Sequence, residues 1–306
     1  MKKLTVGIAF IALVILFGFV SFGFAKDITV GVIMSGDIPY YKSIHKAFTG
    51  ELNSKGIKAE IIVQTPAPDT MAWINAARKF GAIGTDVIVT YGTPATQAVI
   101  SETSNISIVF AGVYDREGLG VKGGKVTGIT SKVSIAGLLK NLKEIYNFST
   151  LGIIYNSAEK GTIREAAEVE RLEGQFSYKS VKFNVKGHGD ISNIKGVDAI
   201  LLTTSCVAMT YVDDIINVAR KQKIPTATLI GGGEERGVVL TLSADPVEQG
   251  KEAADIVARI VKGENPSTIP VGGPKKIQMI VNLKEATALG LKVPFDILSA
   301  ATRVIK

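Results

Sequence analysis

The sequence predicts an α/β protein made of two doubly wound lobes, each a parallel sheet flanked by helices. Short β-branched runs alternate with segments of helical period from residue 28 to about residue 245, the pattern that βαβ units write into a chain. The alternation begins afresh near Ser134, which requires a second sheet. The length of 306 residues leaves each lobe enough chain to bury its own core, at roughly 100–200 residues per domain.

The first run, residues 28–32, leads into a helix over 43–53 whose Ile44, Ala47, Phe48 and Leu52 form one apolar stripe, and Gly56 stops it. Residues 59–63 form the next strand and 71–80 the next helix. Residues 86–90 are nearly all apolar, as a strand buried on both faces must be. A helix over 93–103 and strands over 106–111 and 126–129 complete the first lobe. In the second, helices over 134–146, 159–173 and 211–222 alternate with strands over 151–155, 178–185, 198–202, 225–229 and 238–242. A long helix over 247–261 follows, ended by Gly263 and Pro266. No short repeat or low-complexity linker separates the lobes, so plain chain crossovers join them, with the first boundary near residues 130–133.

The N-terminus stands apart. Lys2 and Lys3 precede an apolar run over residues 4–20, and Gly23 and Ala25 hold the small-residue positions before a cut. Residues 1–25 therefore read as a secretory signal peptide cleaved after Ala25, which places the mature protein in the periplasm or another extracytoplasmic space. The competing reading is an uncleaved anchor, because the run approaches the roughly 20 apolar residues that span a bilayer. No cysteine sits there to carry a lipid anchor.

Composition closes off several functions. A single cysteine, Cys206, excludes a disulfide within the chain, and two histidines, His45 and His188, argue against a histidine-rich zinc site. Loss of Lys2 and Lys3 with the leader lowers the formal net charge of +7 by two. The remaining basic residues are scattered, without the interleaved aromatics that track a phosphate backbone, so nucleic acid is not a partner. Neither a G-x-S-x-G elbow nor a metal-spaced acidic cluster is present, Cys206 reads as a small buried residue, and no cofactor or enzymatic activity is expected.

In open parallel sheets ligands bind beyond the carboxyl ends of the strands, which directs attention to the loops there. Tyr91-Gly92-Thr93-Pro94-Ala95-Thr96 follows the strand at 86–90; Thr93 suits an N-cap and Pro94 the first helical turn, so backbone N–H groups around Thr93, Ala95 and Thr96 face the crevice and favour an anionic group. Asn156, Ser157, Gly161 and Thr162 form a comparable loop in the second lobe, with Glu159 as a helix-start charge. Thr204 and Ser205 add hydroxyls at a third strand end. Gly231-Gly232-Gly233 lacks phosphate-loop spacing and leads into Glu234-Glu235, so Gly232 marks a close backbone approach or a tight turn. Tyr40, Tyr91 and Tyr114 are candidate cleft aromatics for a planar ligand, or equally residues that pack at a strand end, and Asp115 is a candidate acceptor.

The strand and helix start that end in Tyr-Gly-Thr-Pro-Ala-Thr-Gln-Ala, at residues 91–98, resemble a block of an ABC-transporter substrate-binding protein family that includes tryptophan- and tyrosine-binding members. Later segments keep the family's order: Ile108-Val109-Phe110-Ala111-Gly112-Val113-Tyr114-Asp115, Val126-Thr127-Gly128-Ile129, Leu151-Gly152-Ile153-Ile154-Tyr155-Asn156 with Glu159, and Val197-Asp198-Ala199-Ile200. Ile224-Pro225, Ala258-Arg259-Ile260-Val261-Lys262-Gly263-Glu264 and Val281-Asn282-Leu283-Lys284-Glu285-Ala286 extend the likeness over nearly the whole mature chain.

The resemblance implies a type I periplasmic-binding architecture: two flavodoxin-like lobes closing on a ligand, lobe 1 from residues 26–131 and about 243–272, lobe 2 from residues 132–242 and about 273–306. It also implies a monomer that hands a small molecule to an ABC permease and its ATPase; a sensory module that presents its ligand-bound form to a receptor is the alternative. A ligand carboxylate is expected at the helix starts of Thr93–Thr96 and Gly161–Thr162, and an acid in the loop of Thr204, Ser205 and Cys206 is expected to meet an amino group. Here Ser205 stands in place of that acid, Gly161 in place of an asparagine, and Pro246 where an aromatic residue is common. A hydroxyl does not neutralise a desolvated ammonium, so the expected ligand has an anionic or acceptor-rich end and a planar or neutral body, and free α-amino acids are expected to bind weakly.

Overall fold

The computed structural model describes residues 28–114, 116–121 and 124–306; the expected leader at 1–25 and Asp115 lie outside them. Strands β1 (Ile28–Met34), β2 (Ala59–Gln64), β3 (Val87–Tyr91), β4 (Ser107–Val113) and β5 (Val126–Thr130) form an all-parallel sheet in the order β2-β1-β3-β4-β5. Helices α1 (Pro39–Ser54), α2 (Thr70–Ile83) and α3 (Thr93–Glu102) make the crossovers. Local chemistry sets their ends: Asp69 caps α2 by accepting from the N–H groups of Met71 and Ala72, and Gly84, at φ 70°, ends it in the left-handed region. Pro39 opens α1 in its first turn, four residues before the start expected from apolar periodicity.

The second sheet runs β12-β11-β10-β9-β8-β6-β7. Its strands are β6 (Thr150–Tyr155), β7 (Lys179–Asn184), β8 (Ala199–Leu202), β9 (Thr226–Thr228), β10 (Leu240–Ala244), β11 (Ile277–Asn282) and β12 (Arg303–Ile305). Among the described residues only β10 and β11 pair antiparallel. Its helices are α4 (Ile135–Ile145), α5 (Lys160–Arg171), α6 (Glu173–Phe176), α7 (Cys206–Thr210), α8 (Val212–Gln222), α10 (Leu283–Ala288) and α11 (Phe295–Ala300), while α9 (Pro246–Val261) returns to pack on the first lobe. In both sheets the strand order reverses beside the first strand, at β1/β3 and at β6/β8, and such switch points open a crevice at the carboxyl edge.

The chain passes between the sheets after β5, after β10 and between residues 272 and 277. There Gln249 of α9, fully buried, accepts from the Gly112 N–H (2.9 Å) and donates to the Thr130 carbonyl (3.0 Å). Helix α9 packs on α1 so closely that a Cβ at Gly250 would lie 2.2 Å from the Ile44 carbonyl oxygen. One buried apolar cluster runs from Val30, Val32 and Tyr41 of the first lobe into Ile200, Leu202 and Cys206 of the second, so the lobes are shut on each other. Among the described residues no helix is long and apolar enough to cross a membrane.

Candidate ligand-binding cleft

The lobes meet through the loops at their strand ends. A Cβ added to Gly161 would lie 3.1 Å from Thr93 Oγ1, one on Gly36 would lie 3.4 Å from Cys206 Cβ, and one on Gly232 would lie 3.1 Å from the Pro39 ring. Glycine at these points lets the two backbones approach, which accounts for Gly232, at φ 103°, without a phosphate.

Ser35, just beyond β1, organises the wall of lobe 1. Its Oγ accepts from the Ala95 N–H at 3.0 Å, its own N–H donates to the Tyr91 carbonyl at 2.9 Å, and its carbonyl accepts from the Trp73 indole N–H at 2.9 Å. Tyr41, in the first turn of α1, lowers its hydroxyl over Gly92, where a Cβ would lie 2.3 Å from that oxygen and 2.6 Å from Ser35 Oγ.

The facing wall of lobe 2 is built on a carboxylate. Glu159, 2% exposed, directly precedes α5 and reaches the start of α7. Its Oε1 accepts from Ser205 Oγ at 2.8 Å and from the Val207 N–H at 3.2 Å, and its Oε2 accepts from the Cys206 N–H at 2.9 Å. Burial raises the carboxyl above its ordinary value, while these donors and the Cys206 thiol pull it back down. Ser205 also caps α7 through the Ala208 N–H at 3.1 Å. A second fully buried acid, Glu165, takes the Thr204 N–H at 2.7 Å and the Thr204 hydroxyl. Tyr41 Oη sits 3.6 Å from Cys206 Sγ across the cleft, and burial pushes both groups well above their ordinary pKa.

The hinge side of the cleft differs. Tyr40 Oη and Ser243 Oγ are buried without a hydrogen-bond partner, as is Thr241 Oγ1 two residues earlier on β10. A Cβ on Gly231 would touch both Tyr40 (3.4 Å to Cδ2) and Ser243 (3.6 Å to Oγ).

The structure brings Tyr40, Thr93, Gly161, Ser205 and Gly232 to the cleft, whereas Ala95 packs in the lobe 1 core with Ile33 and Trp73 and its N–H is taken by Ser35 Oγ. Other candidates spend their polar atoms inside one lobe. Thr96 Oγ1 donates to the Gly92 carbonyl (2.8 Å) and pairs with Thr90 (2.8 Å). Thr162 Oγ1 bonds the Asn156 and Glu159 carbonyls, Asn156 ties the Val185 carbonyl to the Ala158 N–H, and exposed Ser157 accepts from Asn184. Tyr91 does not face the cleft: it ends β3 turned into lobe 1, with its hydroxyl 3.3 Å from His45 Nδ1 and its ring edge-on to Phe48. Tyr114 donates to Glu168 of α5 at 2.6 Å, a link between the lobes. Sequence reasoning passed over Ser35 and Tyr41, and it read Glu159 as a helix-start charge alone.

Two α/β lobes shut over a crevice, with buried polar groups from both facing inward, define a small-molecule binding protein. The ABC transporter substrate binding protein family matches residues 27–305, and the chain belongs to that family. It is an ABC transporter solute-binding protein, of a family that binds without catalysing. It is 23% identical over 283 residues, 87% of this chain and 82% of the relative, to the tyrosine-binding protein of Clostridioides difficile (strain R20291). Its fold matches a domain from Streptococcus pneumonia solved in complex with L-Trp, at a TM-score of 0.87 and 21% identity, covering 92% of this chain and all of that one. The ligand-free, open structure of a substrate-binding protein from Clostridium difficile matches at a TM-score of 0.66 and 23% identity, covering 91% of this chain and 99% of that one.

Proposed function

We propose that the protein captures a free aromatic α-amino acid in the cleft, outside the cytoplasm, and delivers it to an ABC permease and its ATPase. The observation that carries the reading is Glu159. Ser205 lacks the acid expected there, but the Glu159 carboxylate lies 2.8 Å from the Ser205 hydroxyl and puts a negative charge at the same place. Its strong donors are the Ser205 hydroxyl and the Cys206 and Val207 N–H groups; the remaining donor is the thiol, a weak one. A ligand ammonium entering between Tyr41 and Cys206 replaces that thiol with a full positive charge and fixes Glu159 in its ionised form. The start of α3 behind Thr93 supplies positive backbone dipole for the ligand carboxylate. This charge source supersedes the expectation that free α-amino acids bind weakly.

The names of the relatives support the reading, one called tyrosine-binding and one solved with L-Trp. The higher likeness to the L-Trp complex than to the open, ligand-free structure supports capture by lobe closure. Calorimetry with the free amino acids tests it: micromolar or tighter binding of an aromatic one is expected, and no binding by any of them would overturn it.

A further inference from the structure

We propose that Tyr40 and Ser243 form the far end of the ligand site, built to hold a hydroxyl on the ligand's aromatic ring, so that tyrosine is preferred over phenylalanine. The proposal rests on the aromatic amino acid reading above. Its basis is a contrast in hydrogen bonding: the polar groups around Glu159 are paired, whereas Tyr40 Oη, Ser243 Oγ and Thr241 Oγ1 are buried with none. A buried hydroxyl without a partner is a standing cost, and natural sites keep one where something is to be bound.

The unpaired hydroxyls come from both sides of the cleft: Tyr40 from α1, Ser243 and Thr241 from the strand that leads into the hinge helix. The Tyr40 ring cannot swing away to find a partner. Its Cδ2 edge lies against Gly231 and its Cε1 edge against Gly112, each 3.4 Å from where a Cβ would sit. The neighbouring acids are already committed. Asp245 accepts from the Val247 and Glu248 N–H groups and from Gln278, and Glu248 accepts from the Lys275 and Lys276 N–H groups. Tyr40 and Tyr41 are consecutive, with ring centroids 5.9 Å apart and nearly edge to face, so one α1 turn addresses both ends of a ligand: Tyr41 at the charged end, Tyr40 at the far one.

The chemistry selects the occupant. A phenol hydroxyl accepts from one hydroxyl while donating to another, an indole N–H only donates, and a plain phenyl ring does neither. A site built for a hydroxyl rejects the analogue without it, because its own groups are then left unpaired.

Calorimetry with L-tyrosine and L-phenylalanine on the full mature protein and on Ser243→Ala and Tyr40→Phe decides the matter. The expected result is a preference for tyrosine of at least about tenfold, falling below about threefold in either variant. Equal affinities in the unaltered protein, or a preference that survives both substitutions, would overturn the proposal while leaving aromatic amino acid capture intact, the hydroxyls then holding buried water. Binding of neither amino acid would overturn the proposal, and a titration with L-tryptophan then decides separately whether aromatic amino acid capture stands.

Discussion

The two ends of the cleft solve the problem of buried polar groups in opposite ways. At the Glu159 end each acceptor is met from within lobe 2, by Ser205, Cys206 and Val207, so the carboxyl group is held in place before any ligand arrives. At the Tyr40 and Ser243 end the hydroxyls are equally buried and meet nothing. The first end is preorganised and the second is waiting. The comparison teaches that affinity and selectivity reside in different places: the paired end supplies charge to any amino acid, and the unpaired end judges its side chain.

The largest effect should come from breaking the paired end. Glu159→Gln removes the charge and turns an acceptor oxygen into an amide donor facing the N–H groups of α7. Loss of about 100-fold or more in amino acid affinity is expected, as for other buried charge pairs deprived of one member. Calorimetry measures it, and thermal melting should show a parallel loss of about 1–3 kcal/mol.

Acid should weaken the same end reversibly. The folded protein holds the Glu159 carboxyl above its ordinary value, so it binds a proton more readily folded than unfolded, and this group's contribution to stability falls as pH rises from the ordinary carboxylate range through the raised value. Ligand binding has the opposite slope, because an ammonium needs the ionised form. Affinity for the amino acid should therefore fall as pH drops through the raised value, and Glu159→Gln should flatten that profile.

A matched pair of hydroxyl deletions tests the contrast in the ligand-free protein. Ser205→Ala removes a helix cap and a Glu159 partner and should cost about 1–2 kcal/mol. Thr241→Val removes a hydroxyl that bonds nothing and should leave the melting temperature unchanged or raise it slightly. Equal losses in the two variants would show that the unpaired end is satisfied by water. The smallest effect concerns Cys206, whose thiol burial holds far above the reactive range. Alkylation should be slow, limited by lobe opening, and slower still with ligand bound; mass spectrometry reads it.

Much of this architecture was legible in the chain. Apolar runs and helix stops located the strands and the longer helices up to residue 261, though not the short α6 and α7, and glycines and hydroxyls at strand ends marked the loops that converge, so that Thr93 and Gly161 could be paired across the cleft before their contact was seen. Periodicity failed at α1: Pro39 was a signal for a start in the first turn, and reading it would have brought Tyr40 and Tyr41 to the cleft edge together. For Tyr91 the sequence leaves cleft and strand-end packing equally open, because the side of a strand's last residue depends on what packs beside it, here His45 and Phe48. Glu159 was out of reach for another reason. Its partners lie 46 to 48 residues further along the chain, in the loop of the neighbouring strand, and no local spacing encodes that meeting. The antiparallel β11 and the edge strand β12 went unassigned, because they follow the end of the repeating pattern.

The indole of Trp73 donates to the carbonyl of Ser35, the residue that carries the wall of lobe 1, and it is the chain's single tryptophan. The molecule therefore carries its own optical probe. Excitation at the red edge of the absorption band, where tyrosine is silent, reports from one known point on one lobe with no label attached. The shift in its emission on adding a non-indole ligand measures how far the ordering of that wall depends on what lies against it.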